Sequence, residues 1–103
     1  MATATAVDIG TLITSSPDIR GGRPRVAGTG VTVMRIVGWY KLGCTPEEIA
    51  RKLGLSLAQI HAALAYYHAN PLAIDADLDH EAAEYDRLAL EQRRQRAQEQ
   101  EPE

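Results

Sequence analysis

A chain of 103 residues with net charge −3 and a single cysteine has room for one modest core and cannot form an internal disulfide. No apolar run nears the roughly 18 residues that span a bilayer, and the start MATATAVDIG lacks the basic and apolar regions of a secretion signal. The composition reads as a soluble cytoplasmic protein with no membrane partner. Its charge is split: residues 1–60 carry a net +3 and residues 61–103 a net −6. Opposite signs in the two halves suggest two kinds of partner, although unequal solvated faces would give the same composition.

Residues 1–11 show no periodicity and read as a mobile terminus. From Leu12 to Val33, short apolar pieces are broken by Pro17, Gly21-Gly22, Pro24, Gly28 and Gly30. That pattern predicts a short β-hairpin with tight turns. The stretch GGRPRVAGTGVTV lacks the Gly-Lys-Ser/Thr ending of a phosphate loop and the strand–G-x-G-x-x-G–helix order of a dinucleotide site. Its glycines are better explained by turns that need positive φ.

The period then changes. Met34, Ile36, Val37, Tyr40 and Leu42 lie on a helical face that Gly43 ends. In CTPEEIARKLG, Thr45 is the N-cap, Pro46 the first helical residue and Glu48 the capping-box partner, with Cys44 stapled to Ile49. The device recurs with Ser56 as N-cap, Gln59 as partner, and Leu55 and Ile60 as staple. Helices are therefore expected over 46–53 and 57–69, and Pro71 stops the second. A linker with Asp75, Asp77 and Asp79 follows, then a last helix from about Glu81 to Gln98 and a disordered tail at 99–103.

Ala50, Gly54 and Ile60 have the spacing of a helix-turn-helix: a small residue for close crossing, a glycine in the turn, an aliphatic lock. The expected fold is mainly α, a small helix-turn-helix bundle at 12–70 with an N-terminal hairpin, then a linker and C-terminal helix at 71–98. Shape alone does not bind DNA. The groove-facing positions are Ser56, Leu57, Ala58, His61, Ala62 and Ala65, which offer few base-reading groups, and Gln59 is committed to its cap. Any DNA contact falls mainly to Arg20, Arg23, Arg25, Arg35, Arg51 and Lys52 on phosphates, with Ser56 and His61 as minor polar contributors. The helix at 57–69 is apolar nearly all round, so it is expected to pack against the hairpin or a second subunit, and a homodimer is expected.

Three other constellations are weak. Asp75-Ala-Asp77-Leu-Asp79 resembles a calcium loop, but His80 stands where glycine is required. His61 and His68 lack a third metal ligand at suitable spacing, and Cys44 has no nucleophile–base arrangement around it. Trp39, Tyr66 and Tyr67 read as core or interface anchors. No catalytic residue, metal or cofactor is expected, and the chain does not read as an enzyme.

The pieces ITSSPDIRGGRPRVAGTGVTV and GCTPEEIARKLGLSLAQIHAALAYY, followed by a short acidic continuation, resemble the domain-of-unknown-function family 433 over roughly residues 12–90. The resemblance implies a homeodomain-like helix-turn-helix protein with an N-terminal β element. It also implies an antitoxin-like regulator of a type II toxin–antitoxin pair, binding a PIN-like ribonuclease toxin and its own operator DNA. The family pattern usually reads Gly-Thr-Arg where this chain has Gly28-Thr29-Gly30, and Arg23 or Arg25 is the expected substitute for that arginine. Under this reading residues 75–103 face the toxin. Asp75, Asp77, Asp79 and Glu81 meet its basic surface, and Tyr85 and Leu88 lie in a groove. Two alternatives stand beside it: the last helix packs back on the bundle, or the protein is a dimeric protein-interaction module whose helix-turn-helix is only scaffold.

Overall fold

The computed structural model describes residues 6–100. Strand β1 (Ile13–Thr14) pairs antiparallel with β2 (Arg25–Val26), Ile13 opposite Val26, and four helices follow. They are α1 (Val33–Lys41), α2 (Pro46–Leu53), α3 (Leu57–Ala69) and α4 (Pro71–Gln100). The fold is mainly helical with a short N-terminal hairpin, as the residue pattern predicts.

Part of the terminus expected to be mobile is folded. Asp8 Oδ1 accepts the Gly10 N–H at 3.0 Å and caps a single 3-10 turn at Ile9–Thr11, which lies against α3. The tail expected to be disordered at 99–103 begins inside a helix, since Glu99 and Gln100 belong to the last helix; residues 1–5 and 101–103 lie outside the described residues.

The loop joining the paired strands is 15–24. The glycines of Gly28-Thr29-Gly30 serve a second tight turn, in which the Val26 N–H donates to the Val31 carbonyl at 2.8 Å. Val33 is the first residue of α1 and fully buried, because the Thr32 hydroxyl accepts the Arg35 N–H at 3.2 Å and caps the helix there. Both expected capping boxes form: Thr45 with Glu48, and Ser56 with Gln59. Gly54 turns the chain between α2 and α3 at φ 67°, a left-handed conformation that favours glycine.

The core is Val26 from the hairpin, Val33, Ile36 and Val37 from α1, Ile49 from α2, Ile60 and Ala63 from α3, and Ile74 from α4, all fully buried. Helix α3 touches α1, α2, α4 and the hairpin, so the chain itself covers most of its apolar circumference. The apolar surplus on α3 that suggested a second subunit is therefore largely met within one chain.

The largest correction concerns the expected linker at 71–80, which is helical. Asn70 ends α3 with its N–H donating to the Tyr66 and Tyr67 carbonyls, and its own carbonyl accepts the Ile74 N–H at 3.4 Å. Pro71 both stops α3 and starts α4, where its missing N–H costs nothing. Ile74 and Leu78 then anchor α4, Leu78 against Gly38 of α1 at 3.8 Å from a Cβ position there. Beyond that anchor α4 continues as one helix to Gln100 with mostly exposed side chains. The first turns of α4 pack on the bundle, and the remainder is the free segment.

Candidate nucleic-acid interface

Arg20, Gly21 and Gly22 run left-handed in succession, at φ 52°, 64° and 79°. Glycine adopts this freely, but Arg20 does so at a cost. The turn aims the Arg20 side chain across to the second turn, where its Nε donates to the Gly30 carbonyl at 3.1 Å. A Cβ on Gly30 would stand 3.1 Å from Arg20 Nη2. Arg20 thus brings its guanidinium beside Gly30.

Arg20, Arg23 and Arg35 border one cleft of about 350 Å³, together with Thr32, Gly30, Met34 and Glu81. Arg20 and Arg23 come from loop 15–24 and Arg35 from the first turn of α1. The hairpin and the α1 N-cap therefore bring together charges that lie up to fifteen residues apart. Arg23 is only loosely paired, its Nε 3.8 Å from Asp77 Oδ1 with both side chains about one-third exposed. Three guanidiniums outnumber the carboxylates at this edge, and the α1 N-terminus adds its partial positive charge. Such a cleft suits phosphate, which guanidinium binds through paired N–H donors.

Arg25 does not join them. It has backbone partners on both sides, Thr14 and Thr32, and so lies inside the hairpin. Its side chain is only 9% exposed. Nη2 reaches Ser16 Oγ at 3.5 Å, while Nε and Nη1 have no partner among the described residues. Arg25, expected to contact phosphate from the surface, is instead buried inside the hairpin, apart from the exposed arginines.

Arg51 and Lys52 lie exposed in the last turn of α2, with Lys52 Nζ 4.9 Å over the Trp39 ring. Ser56, the N-cap of α3, and His61 on the helix are exposed, beside Leu57, Ala58 and Ala65. Gln59 is held in its cap, its Oε1 accepting the Ser56 N–H at 2.8 Å. The outer side of α3 thus has the position of a recognition helix without its chemistry.

The acidic residues divide. Asp75 Oδ1 accepts from Lys41 Nζ at 2.7 Å and from the Tyr67 hydroxyl at 3.0 Å. The Lys41 ammonium and then the Tyr67 hydroxyl hold the Asp75 carboxyl below its ordinary range, and Asp75 in turn raises Lys41. Asp75 and Asp77 therefore tie α4 to α1 and the hairpin loop, a use the partner-binding expectation did not include. Asp79 and Glu81 border an apolar groove of about 800 Å³ between α1 and α4, lined also by Met34, Trp39, Leu42 and Leu78. Tyr85 and Leu88 stand out on α4, 73% and 50% exposed. Lys41 and Ile74 went unnoticed in the sequence, and Tyr67 was read as an anchor without its bond to Asp75, although Ile74, Leu78 and Tyr85 carry the helical spacing that would have revealed the earlier start of α4.

Among the described residues no helix is long and apolar enough to cross a membrane, and no group of three or more His, Cys, Asp or Glu could hold a metal ion. No curated protein matches the chain. A crystal structure of a DUF433 member protein from Anabaena variabilis is similar to it with a TM-score of 0.64 and 28% identity, over 67% of this chain and 69% of that one. Residues 13–67, from β1 into the last turn of α3, match the family described as "Protein of unknown function (DUF433)". With the match spanning more than half the chain, this protein belongs to the DUF433 family.

Proposed function

We propose that this protein is an antitoxin-like regulator: a non-enzymatic, cytoplasmic protein that holds DNA phosphates at the arginine cleft and a PIN-like ribonuclease through α4. One observation carries the reading. The basic cleft of Arg20, Arg23 and Arg35 belongs to the packed body, whereas Tyr85, Leu88 and the arginines beyond them lie on a helix that leaves it. Two partners of different chemistry can then engage two separate regions. DNA contact through the cleft, with Arg51 and Lys52 at the flank, is made to phosphates and carries little sequence preference.

The chemistry of α3 favours a second reading, a protein-interaction module with the helix-turn-helix as scaffold. Leu57, Ala58, His61 and Ala65 give that outer side almost nothing with which to read bases. Expressing the native operon with this chain tagged separates the two. A co-purifying nuclease that is lost when the chain is cut after Glu84 supports the regulator. Recovery of the chain with no nuclease, and no retention on duplex DNA, supports the module.

A further inference from the structure

We infer that the free part of α4 pairs antiparallel with α4 of a second copy of this chain. Within the helix, residues 71–86 carry six carboxylates and no lysine or arginine, whereas residues 87–100 carry four arginines against two glutamates. A helix with an acidic first half and a basic second half repels a parallel copy and attracts an antiparallel one. One stripe of α4 has the matching symmetry. Half-buried Leu78 and then exposed Glu81, Tyr85, Leu88, Gln92 and Gln95 follow alternating steps of three and four, the spacing of a two-helix seam. A two-fold axis between Asp86 and Arg87 sets Tyr85 opposite Leu88, Leu78 opposite Gln95, Asp79 opposite Arg94 and Asp77 opposite Arg96.

The body accepts this arrangement. The partner's arginine-rich end arrives at the open groove between α1 and α4, where Leu42 is 77% exposed and Asp79 and Glu81 form the rim. Only Tyr85 and Leu88 give the seam a sizeable apolar centre, so the pairing depends on concentration and weakens with salt. It stands without the antitoxin reading. If that reading also holds, the pairing covers the same stripe, and a nuclease must displace the second copy to reach it.

The test is the mass of the full chain in solution, by light scattering or sedimentation, for wild type and two charge-reversed variants. One carries Asp79→Lys and Glu81→Lys, the other Arg93→Glu, Arg94→Glu and Arg96→Glu, and circular dichroism checks that both remain helical. Wild type is expected to dimerise at about 50 µM in low salt and to dissociate as salt rises. Each variant alone is expected to dissociate roughly tenfold more readily or worse, and an equimolar mixture to recover the dimer as a heterodimer. Wild type remaining monomeric in low salt, variants that dimerise as well as wild type, or two helical variants whose mixture stays monomeric would each overturn the inference. None of these measurements involves a nuclease, so they fail or succeed independently of the antitoxin reading.

Discussion

Arg20 reaches across two turns to Gly30, its Nε donating to the Gly30 carbonyl at 3.1 Å from a backbone held at φ 52°. A left-handed arginine costs on the order of 1 kcal/mol, and an exposed hydrogen bond returns about the same or less. Arg20 is therefore costly to hold and contributes little to folding. Replacing Arg20 with Gly is expected to leave stability within about 1 kcal/mol of wild type in a urea melt, while weakening binding to duplex DNA. A loss of several kcal/mol would make Arg20 a structural residue.

Arg25 presents the opposite case. Its guanidinium is buried with two N–H groups unpartnered, so removing the charge relieves a desolvation cost. Arg25→Met, which keeps the length of the side chain, is expected to match or exceed wild type in denaturant midpoint. A fall of more than about 2 kcal/mol would mean that the guanidinium has partners in solution that hold it in place.

The Lys41–Asp75 pair predicts a pH window. Asp75 has its folded pKa depressed, so its contribution is present above the unfolded value near 4 and is lost as pH falls through the folded value below it. Lys41 is raised, so its contribution holds below the unfolded value near 10.4 and is lost as pH rises through the folded value above it. Both side chains are more than one-third exposed, so the effect is modest. Comparing Asp75→Asn with wild type across pH should show the gap in melting temperature constant near neutrality and closing towards pH 3. A gap that widens in acid would refute the assignment.

Where α4 stops belonging to the body can be measured by shortening it. Ile74→Ala empties a fully buried site and is expected to cost roughly 2–4 kcal/mol. A chain ending at Asn70 loses Ile74 and Leu78 together and should fail to fold. A chain ending at Glu84 keeps both and should melt as cooperatively as the full chain. Equal melting of the Asn70 truncation and the full chain would show that α4 is not part of the core.

The residues most legible in the sequence were those whose partners lie within four positions. Thr45 with Glu48 and Ser56 with Gln59 announce their helices through local hydrogen bonds, and Gly54 announces its turn through φ alone. What stayed hidden depended on distant neighbours. Arg25 looks like any surface arginine until Thr14 and Thr32 flank it. Asp75 looks like a linker or helix-start charge until Lys41, thirty-four residues earlier, comes within 2.7 Å. Three alternating aspartates suggested a break because aspartate is a poor helix former, but burial of Ile74 and packing of Leu78 override that propensity. The arginine cleft was legible as a set of basic residues, not as a place: the sequence could not distinguish the three that converge from the one that is buried.

If Arg20, Arg23 and Arg35 form one phosphate-binding cleft, the salt dependence of duplex DNA binding reports it. For wild type, the logarithm of the binding constant should fall steeply with the logarithm of salt concentration. Each arginine replaced by Ala should reduce the slope by about 0.9, the triple variant by nearly three times that, with the loss equal across unrelated sequences. Glu81→Gln, which removes a carboxylate from the cleft, should tighten binding, and Arg25→Met should leave the slope unchanged. A slope unaltered in the triple variant, or one reduced as much by Arg25→Met as by Arg35→Ala, would show that phosphate is not held at this cleft.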